Sequence, residues 1–350
     1  MKILITGASG FVGSFLVEHA LDAGFDTWAA MRGTSSKRYL TDPRTQFIEL
    51  DLGNDERLRA QLERHVAEHG AFDCVIHAAG ATKAPSEAAF RKVNAEGTER
   101  LARLLLATGA LVPQGRFVFV SSLSVMGAPY ETPLHDAKGR NIHGENRYRQ
   151  VCADDIPQPN TAYGRSKLEA ERLLAQIDGL NYVVLRPTGV YGPREKDYFM
   201  MADSIRHHID FAVGYKPQII TFIYVRDLVT ACFAALSQGK RGKAYLLSDG
   251  CDYDSRAFSD LLQAEMGVKG VLHIVAPEWV LHAVCAFNSW MARFTHKMPT
   301  LNMDKFQILR QRNWRCDITP ARKDLGYHPE WPLERGVKEA VEWYKANGWL

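Results

Sequence analysis

Along the first 186 residues, short apolar runs alternate with longer stretches in which apolar residues recur every three or four positions. The runs KILIT (2–6), DTWAAM (26–31), QFIEL (46–50), DCVIHA (73–78), RFVFVS (116–121) and NYVVLR (181–186) read as strands, and the segments near 11–23, 55–69, 86–108 and 163–178 as helices. This alternation predicts an α/β fold: a doubly wound parallel sheet reached by right-handed crossovers.

Beyond residue 187 the alternation fails, although TFIYVRDLVTACFAAL (221–236) still reads as a strand leading into a helix. A sheet-bearing domain over 1–186, with 217–240 returning to it, and a smaller interleaved domain over 187–216 and 241–350 are expected. The polar stretch between Gly127 and Tyr163 is too long for an ordinary connection and reads as a lid or binding loop. In EWVLHAVCAFNSWMARF (278–294), Val280, Ala283, Val284, Phe287, Met291 and Phe294 fall at helical spacing, with Trp279 and Trp290 near the ends. A core-facing helix is the first expectation; a lid over an apolar substrate, or weak contact with a membrane surface, is the second.

Composition narrows the partners. The 43 basic and 40 acidic residues nearly cancel, which leaves no charge footprint for nucleic acid and makes a small molecule the expected partner. Six scattered cysteines lack zinc or disulfide spacing. The first residues run into a strand without a signal-peptide core, and no apolar run is long enough to cross a bilayer, so a reducing cytoplasm is expected. His207-His208 lacks accompanying carboxylates and reads as a surface pair, with no metal implied. The absence of a G-x-S-x-G turn after a strand disfavours a serine hydrolase.

TGASGFVG (6–13) follows the first strand and opens the first helix. Gly7, Gly10 and Gly13 suit a tight turn, close approach of backbone to a pyrophosphate, and close helix–strand packing, with Phe11 and Val12 opening the helix whose N-terminus faces the phosphates. The second strand ends in Met31 and Arg32, where an acid would bind the ribose of NAD. A guanidinium there suits a 2′-phosphate, with Lys37 and Arg38 nearby, so NADP(H) is favoured and NAD(H) remains open.

These segments, with Asp51-Leu52, HAAG (77–80), VSSLSVMG (120–127), YGRSK (163–167), RPTGVYGP (186–193) and the C-terminal CDITPARKDLGYHPEWPLERGVKEAVEWY (316–344), resemble the extended short-chain dehydrogenase/reductase superfamily in collinear order over nearly the whole chain. The resemblance implies a Rossmann fold in which Asp51 and Leu52 meet the adenine, and Ala78, Ala79 and Gly80 line the cofactor channel. It places Asn94 near the active site and Pro187 to Val190 beside the nicotinamide. It makes Ser122 the hydroxyl on the reacting oxygen, and Tyr163 and Lys167 the catalytic pair. The chemistry of these side chains agrees. Moving a hydride to or from a carbon bearing oxygen needs a positioned proton donor or acceptor, and a tyrosine near pH 10 needs a neighbouring cation to act at neutral pH. Lys167, one helical turn from Tyr163, is expected to lower the phenol. Ser121 and Ser124 are the serines open to confusion with Ser122.

Within the superfamily, sugar-nucleotide enzymes usually carry an asparagine at the position of Gly189 and an arginine aligned with Ile220. Their absence, and the segment 299–327, bring the chain nearer to the 3β-hydroxysteroid dehydrogenase-like branch, which implies NADP(H)-linked interconversion of a secondary alcohol and a ketone on an apolar substrate. The alternatives are a nucleotide-sugar epimerase or dehydratase with tightly bound NAD, and a non-catalytic dinucleotide sensor. A homodimer through the helices near 86–108 and 163–178 is also implied.

Overall fold

The computed structural model describes residues 1–136, 138–295 and 301–350. In chain order, the first half forms β1 (Lys2–Thr6), α1 (Phe11–Asp22), β2 (Asp26–Met31), β3 (Gln46–Glu49), α2 (Asp55–His69), β4 (Phe72–His77), α3 (Glu87–Phe90), α4 (Gly97–Ala107), β5 (Leu111–Val120), α5 (Ala162–Ala175) and β6 (Asn181–Pro187). The second half adds β7 (Gly189–Tyr191), α6 (Asp197–Arg206), β8 (Ile209–Val213), β9 (Ile219–Ile220), β10 (Phe222–Tyr224), α7 (Val225–Gln238) and β11 (Ala244–Leu247). After these come β12 (Tyr253–Asp254), α8 (Ala257–Met266), β13 (Leu272–Ala276), α9 (Glu278–Thr295), α10 (Met303–Arg310), α11 (Thr319–Leu325) and α12 (Leu333–Ala346).

Seven strands form one parallel sheet in the order β11-β6-β5-β4-β1-β2-β3. Its central strands are buried on both faces, which is why they read as continuous apolar runs: Ile3, Leu4 and Ile5 have no exposure. One core lies between the sheet and α1 and α7 and runs on into α11 and α12; the other lies between the sheet and α2, α4 and α5. The order reverses between β1 and β4, and at that switch point the carboxyl ends of the strands leave a crevice for a ligand.

Two expectations are corrected. The seventh strand, β11, pairs with β6, so the chain returns to the Rossmann sheet as far as Leu247 and not only to 240. A four-residue apolar run carries no period that separates strand from helix, and its main neighbours are β6 and α11. The second correction concerns α9. Its buried positions are Leu281 and Cys285, which share a small core with Phe306 of α10, while Val284, Phe287 and Trp290 face outward. The side chain of Phe294 and residues 299–300 lie outside the described residues. The helical period was legible, but Ala283, Val284 and Phe287, expected to face the core, are exposed, while Val280 and Met291 are half-buried.

The long segment before α5 lies against the C-terminal half. Val151 bridges Cys316, and Asn313 Nδ2 donates to the carbonyls of Tyr130 (2.9 Å) and Arg149 (2.8 Å). Among the described residues no helix is long and apolar enough to cross a membrane.

Candidate active site

The turn from β1 to α1 is built to admit a phosphate. Gly7 has φ +70°, and a Cβ on it would lie 2.7 Å from the Ala79 nitrogen, while one on Gly13 would overlap the Gly7 carbonyl. Phe11 and Val12 open α1, whose N-cap is Gly10 without a side-chain cap and whose first turn holds no acid. The free N–H groups there face the crevice, and the absence of Cβ atoms lets a pyrophosphate approach them. The residues therefore fit a dinucleotide.

Beneath this turn lies a buried network that sequence reasoning missed. The Thr98 hydroxyl donates to the Asn94 carbonyl at 2.6 Å, so it accepts from His77 Nε2 at 2.9 Å. His77 Nδ1 is thereby left to accept from the Thr6 hydroxyl at 2.7 Å, and the Thr6 oxygen accepts from the Ala79 N–H at 3.3 Å. Burial, followed by the Lys167 charge, holds the imidazole neutral and lowers it to about 3. Ala78 and Ala79 are thus fixed by hydrogen bonds running back to Thr6 of β1, with Gly80 next in the chain.

Asn94 is fully buried because α3 and α4 are joined through a wider turn, Arg91–Glu96, with i→i+5 hydrogen bonding. Its side-chain Oδ1 accepts from Ala81 N–H at 2.7 Å, and its Nδ2 donates to the Ala81 carbonyl and the Ser166 hydroxyl, both at 3.0 Å. A Cβ on Gly80 would lie 3.1 Å from both Asn94 Oδ1 and Lys167 Nζ. Gly80, Asn94 and Lys167 therefore meet at one point.

Ser122 and Tyr163 complete the cluster. Ser122 follows β5, and its hydroxyl accepts from the Ser124 N–H at 3.1 Å and stands near enough to the Tyr163 phenol to act on its proton. Burial pushes that phenol up to about 12, against the influence of Ser122. The lowering by Lys167 expected from the sequence is not what this geometry gives. The Lys167 ammonium donates to the Val120 carbonyl at 2.9 Å, and burial lowers it to about 8 against the Glu171 carboxylate. A neutral phenol beside a polarising serine is equipped to donate a proton.

Ser121 is separated from Ser122 by its partner: its hydroxyl donates to Glu171 Oε1 at 2.5 Å. Glu171 in turn pairs with Arg186 at 2.6 Å, both nearly fully buried. The spacing of Lys167 and Glu171, four apart on one helix, was the signal that could have found this support.

At the adenosine end, Asp51 caps its own turn through the Gly53 N–H at 3.0 Å, and Leu52 is anchored by Arg100, which donates to its carbonyl at 2.7 Å. Arg32 is exposed at the end of β2. The Lys37 ammonium sits 3.7 Å from the centre of the Phe47 ring, and Arg38 lies over Tyr39. The Glu49 carboxylate stands close to Gly33, at 3.1 Å from a Cβ built there. At the other end, Pro187 closes β6 and Val190 stands partly exposed in β7. Gly189 adjoins Tyr198: a Cβ at 189 would overlap the Tyr198 hydroxyl. His207 and His208 bond to the backbone carbonyls of Asp203 and Lys269, and no group suited to hold a metal occurs among the described residues.

The sheet order, the glycine turn and the serine–tyrosine–lysine cluster define a nicotinamide-dinucleotide-binding oxidoreductase of the Rossmann class. Residues 3–248 match the NAD dependent epimerase/dehydratase family, and the chain belongs to it. It is 24% identical over 98% of its length to a 3 beta-hydroxysteroid dehydrogenase/Delta 5→4-isomerase from Mycobacterium tuberculosis, covering 90% of that protein. It is 30% identical over 75% of its length to a GDP-6-deoxy-D-mannose reductase from Pseudomonas aeruginosa, covering 79% of that protein. A dTDP-glucose 4,6-dehydratase from Streptomyces venezuelae, solved with NAD, superposes over the whole chain with a TM-score of 0.75 at 20% identity, covering 98% of that structure.

Proposed function

We propose that this oxidoreductase reduces a ketone to a secondary alcohol, reversibly, on an apolar substrate without a diphosphate, in the manner of the 3β-hydroxysteroid dehydrogenase-like branch. The observation that carries this reading is the Gly189–Tyr198 contact. Where a sugar-nucleotide enzyme would place an asparagine, the Tyr198 hydroxyl already fills the space. Ile220, aligned with the diphosphate arginine, is apolar and pairs with Tyr253. Cations nearby are engaged: Lys83 and Lys305 with Asp197, Arg312 with Glu278, Arg315 with Asp252. A diphosphate drawing on any of these four cations would have to displace its carboxylate.

A dinucleotide seated on the Gly7–Gly13 turn supplies the hydride or accepts it. Ser122 fixes the substrate oxygen, Tyr163 delivers the proton to that oxygen from its phenol, and Lys167 places a positive charge behind the tyrosine. In the oxidative direction the same phenol must lose its proton first, so Tyr163 serves both directions of the interconversion. We favour NADP(H) on the strength of Arg32. The Glu49 carboxylate beside Gly33 favours the second reading, NAD(H), because it would repel a 2′-phosphate.

The outward aromatic face of α9 is read as a weak lipid-surface contact, and the face of α3, the 91–96 turn and α5 that carries the Arg91–Glu169 and Arg165–Glu87 pairs as part of the homodimer contact through the helices near 86–108 and 163–178. The test is steady-state oxidation of NADPH and NADH with a panel of steroid 3-ketones. Continuous consumption with NADPH preferred supports the reading. No turnover with any ketone, together with isomerisation or dehydration of a UDP- or dTDP-sugar without net cofactor change, would replace it by the epimerase/dehydratase alternative.

A further inference from the structure

We propose that Asp304 is a positioning residue for Tyr163, reaching from the substrate half to hold the first turn of the helix that carries the tyrosine. The proposal rests on the reading of Tyr163 as the proton donor. Helix α5 begins at Ala162, and its first N–H groups have no partner within the helix. Thr161, the N-cap, accepts from the Gly164 N–H at 2.9 Å, which leaves Ala162 and Tyr163. The Asp304 carboxylate accepts from both: from Ala162 N–H at 3.1 and 3.0 Å, and from Tyr163 N–H at 3.3 Å.

This is an unusual source for a cap. Asp304 lies 142 residues away from Ala162 along the chain, on the first turn of α10. Its own place is set by Asn302, whose side chain accepts from the Lys305 N–H at 2.9 Å. A carboxylate at a helix N-terminus forms charge-assisted bonds to the N–H groups and meets the positive end of the dipole. Here those bonds act on the backbone of Tyr163 itself, so they set where the phenol stands relative to Ser122.

The adjoining residue extends the clamp. Lys305 reaches Asp197 at 3.3 Å, and Asp197 holds Lys83 at 2.8 Å, just past the Ala78–Gly80 segment. One turn of α10 thus ties down α5, the start of α6 and the loop after β4. Helices α9 and α10 share a core of their own, Leu281, Cys285 and Phe306, separate from the two cores flanking the sheet. A shift of that pair relative to the sheet would withdraw Asp304 and release the first turn of α5. Proton delivery is thereby made to depend on the α9–α10 unit being seated.

The test compares Asp304→Ala and Asp304→Asn in the full chain, with NADPH as the probe. Hydrogen exchange followed by mass spectrometry on peptides spanning 161–165 is the first readout and needs no substrate. In Asp304→Ala, exchange of the Ala162 and Tyr163 amides is expected to rise at least tenfold while β1 and α1 keep their protection. In Asp304→Asn, which keeps an oxygen acceptor, the rise is smaller. The second readout is ketone reduction: kcat falls at least tenfold in Asp304→Ala, with KM for NADPH unchanged, and Asn restores a large part of it. Wild-type exchange at 162–163 in Asp304→Ala, or an unchanged kcat, overturns the proposal. Should Asp304→Ala lose its fold, Asp304→Asn decides: intermediate exchange supports the clamp, and wild-type exchange overturns it. If the wild-type chain reduces no ketone, the functional reading fails while the exchange readout still judges the clamp.

Discussion

The Rossmann body and the α9–α10 unit put the same kinds of residue to opposite uses. In the body, apolar runs are sealed on both faces, and polar side chains buried beneath the cofactor turn, His77, Thr6 and Thr98, satisfy one another. In α9–α10, three residues make the core, while Trp279, Phe287 and Trp290 are 72%, 59% and 52% exposed. Burying large aromatic surface is the main source of folding stability, so its exposure on one helix calls for a reason outside stability. The body is built to hold a rigid site; in the proposals above, the unit steadies the first turn of α5 and offers its aromatic face to a lipid surface.

The largest expected effect breaks the body's chemistry without touching its frame. Tyr163→Phe removes only the phenolic oxygen, and a positioned proton donor contributes about 10²–10⁴-fold in rate. Ketone reduction is expected to fall by that factor, with NADPH affinity and thermal unfolding temperature close to wild type. Activity within twofold of wild type would return the chain to the non-catalytic reading.

The next effect distinguishes the two regions by pH. His77 is buried and lowered to about 3, below an ordinary value near 6.5, so the unfolded state takes up its proton first as pH falls. The His77 contribution is fully present above pH 6.5 and is lost as pH drops from there toward 3, at up to about 1.4 kcal/mol per unit. Protonation would also turn Nδ1 into a donor facing the Thr6 hydroxyl, which already donates to it. Urea unfolding at pH 7, 5.5 and 4.5 should show this slope in the wild type and a shallower one in His77→Gln. Equal slopes would mean that His77 is not the acid-sensitive group of the body.

The contrast also explains what was legible in the sequence. Strands β1 to β6, the glycine turn and the order of Ser122, Tyr163 and Lys167 were readable because each is set by local pattern: apolar runs, φ > 0 at Gly7, or spacing on one helix. β11 was missed because four apolar residues carry no period. The face of α9 was misread because periodicity reports that a helix has two faces, not which one the remainder of the chain will cover. Asp304 and the His77 network were beyond reach, since their partners lie 142 and 71 residues away and no local pattern marks them. The direction of the Tyr163 shift was misjudged for a related reason. Spacing put Lys167 on the same face, but whether the ammonium or the burial dominates is fixed by the Val120 carbonyl and the surrounding core.

The smallest expected effect sharpens the other side of the comparison. Tryptophan and phenylalanine on a helix whose single acid, Glu278, is paired with Arg312 suit the headgroup region of a bilayer, where an apolar ring with a polar edge is favoured. Flotation with phosphatidylcholine vesicles containing phosphatidylglycerol should recover part of the wild-type chain. Trp279→Ser, Phe287→Ser and Trp290→Ser together should lower that fraction several-fold. Since none of the three belongs to the buried core of the unit, NADPH oxidation with a soluble ketone should stay within about twofold of wild type. Equal flotation of the two proteins would remove the lipid reading. A triple variant that instead loses self-association in sedimentation would show that the aromatic face is covered by a second copy of the chain.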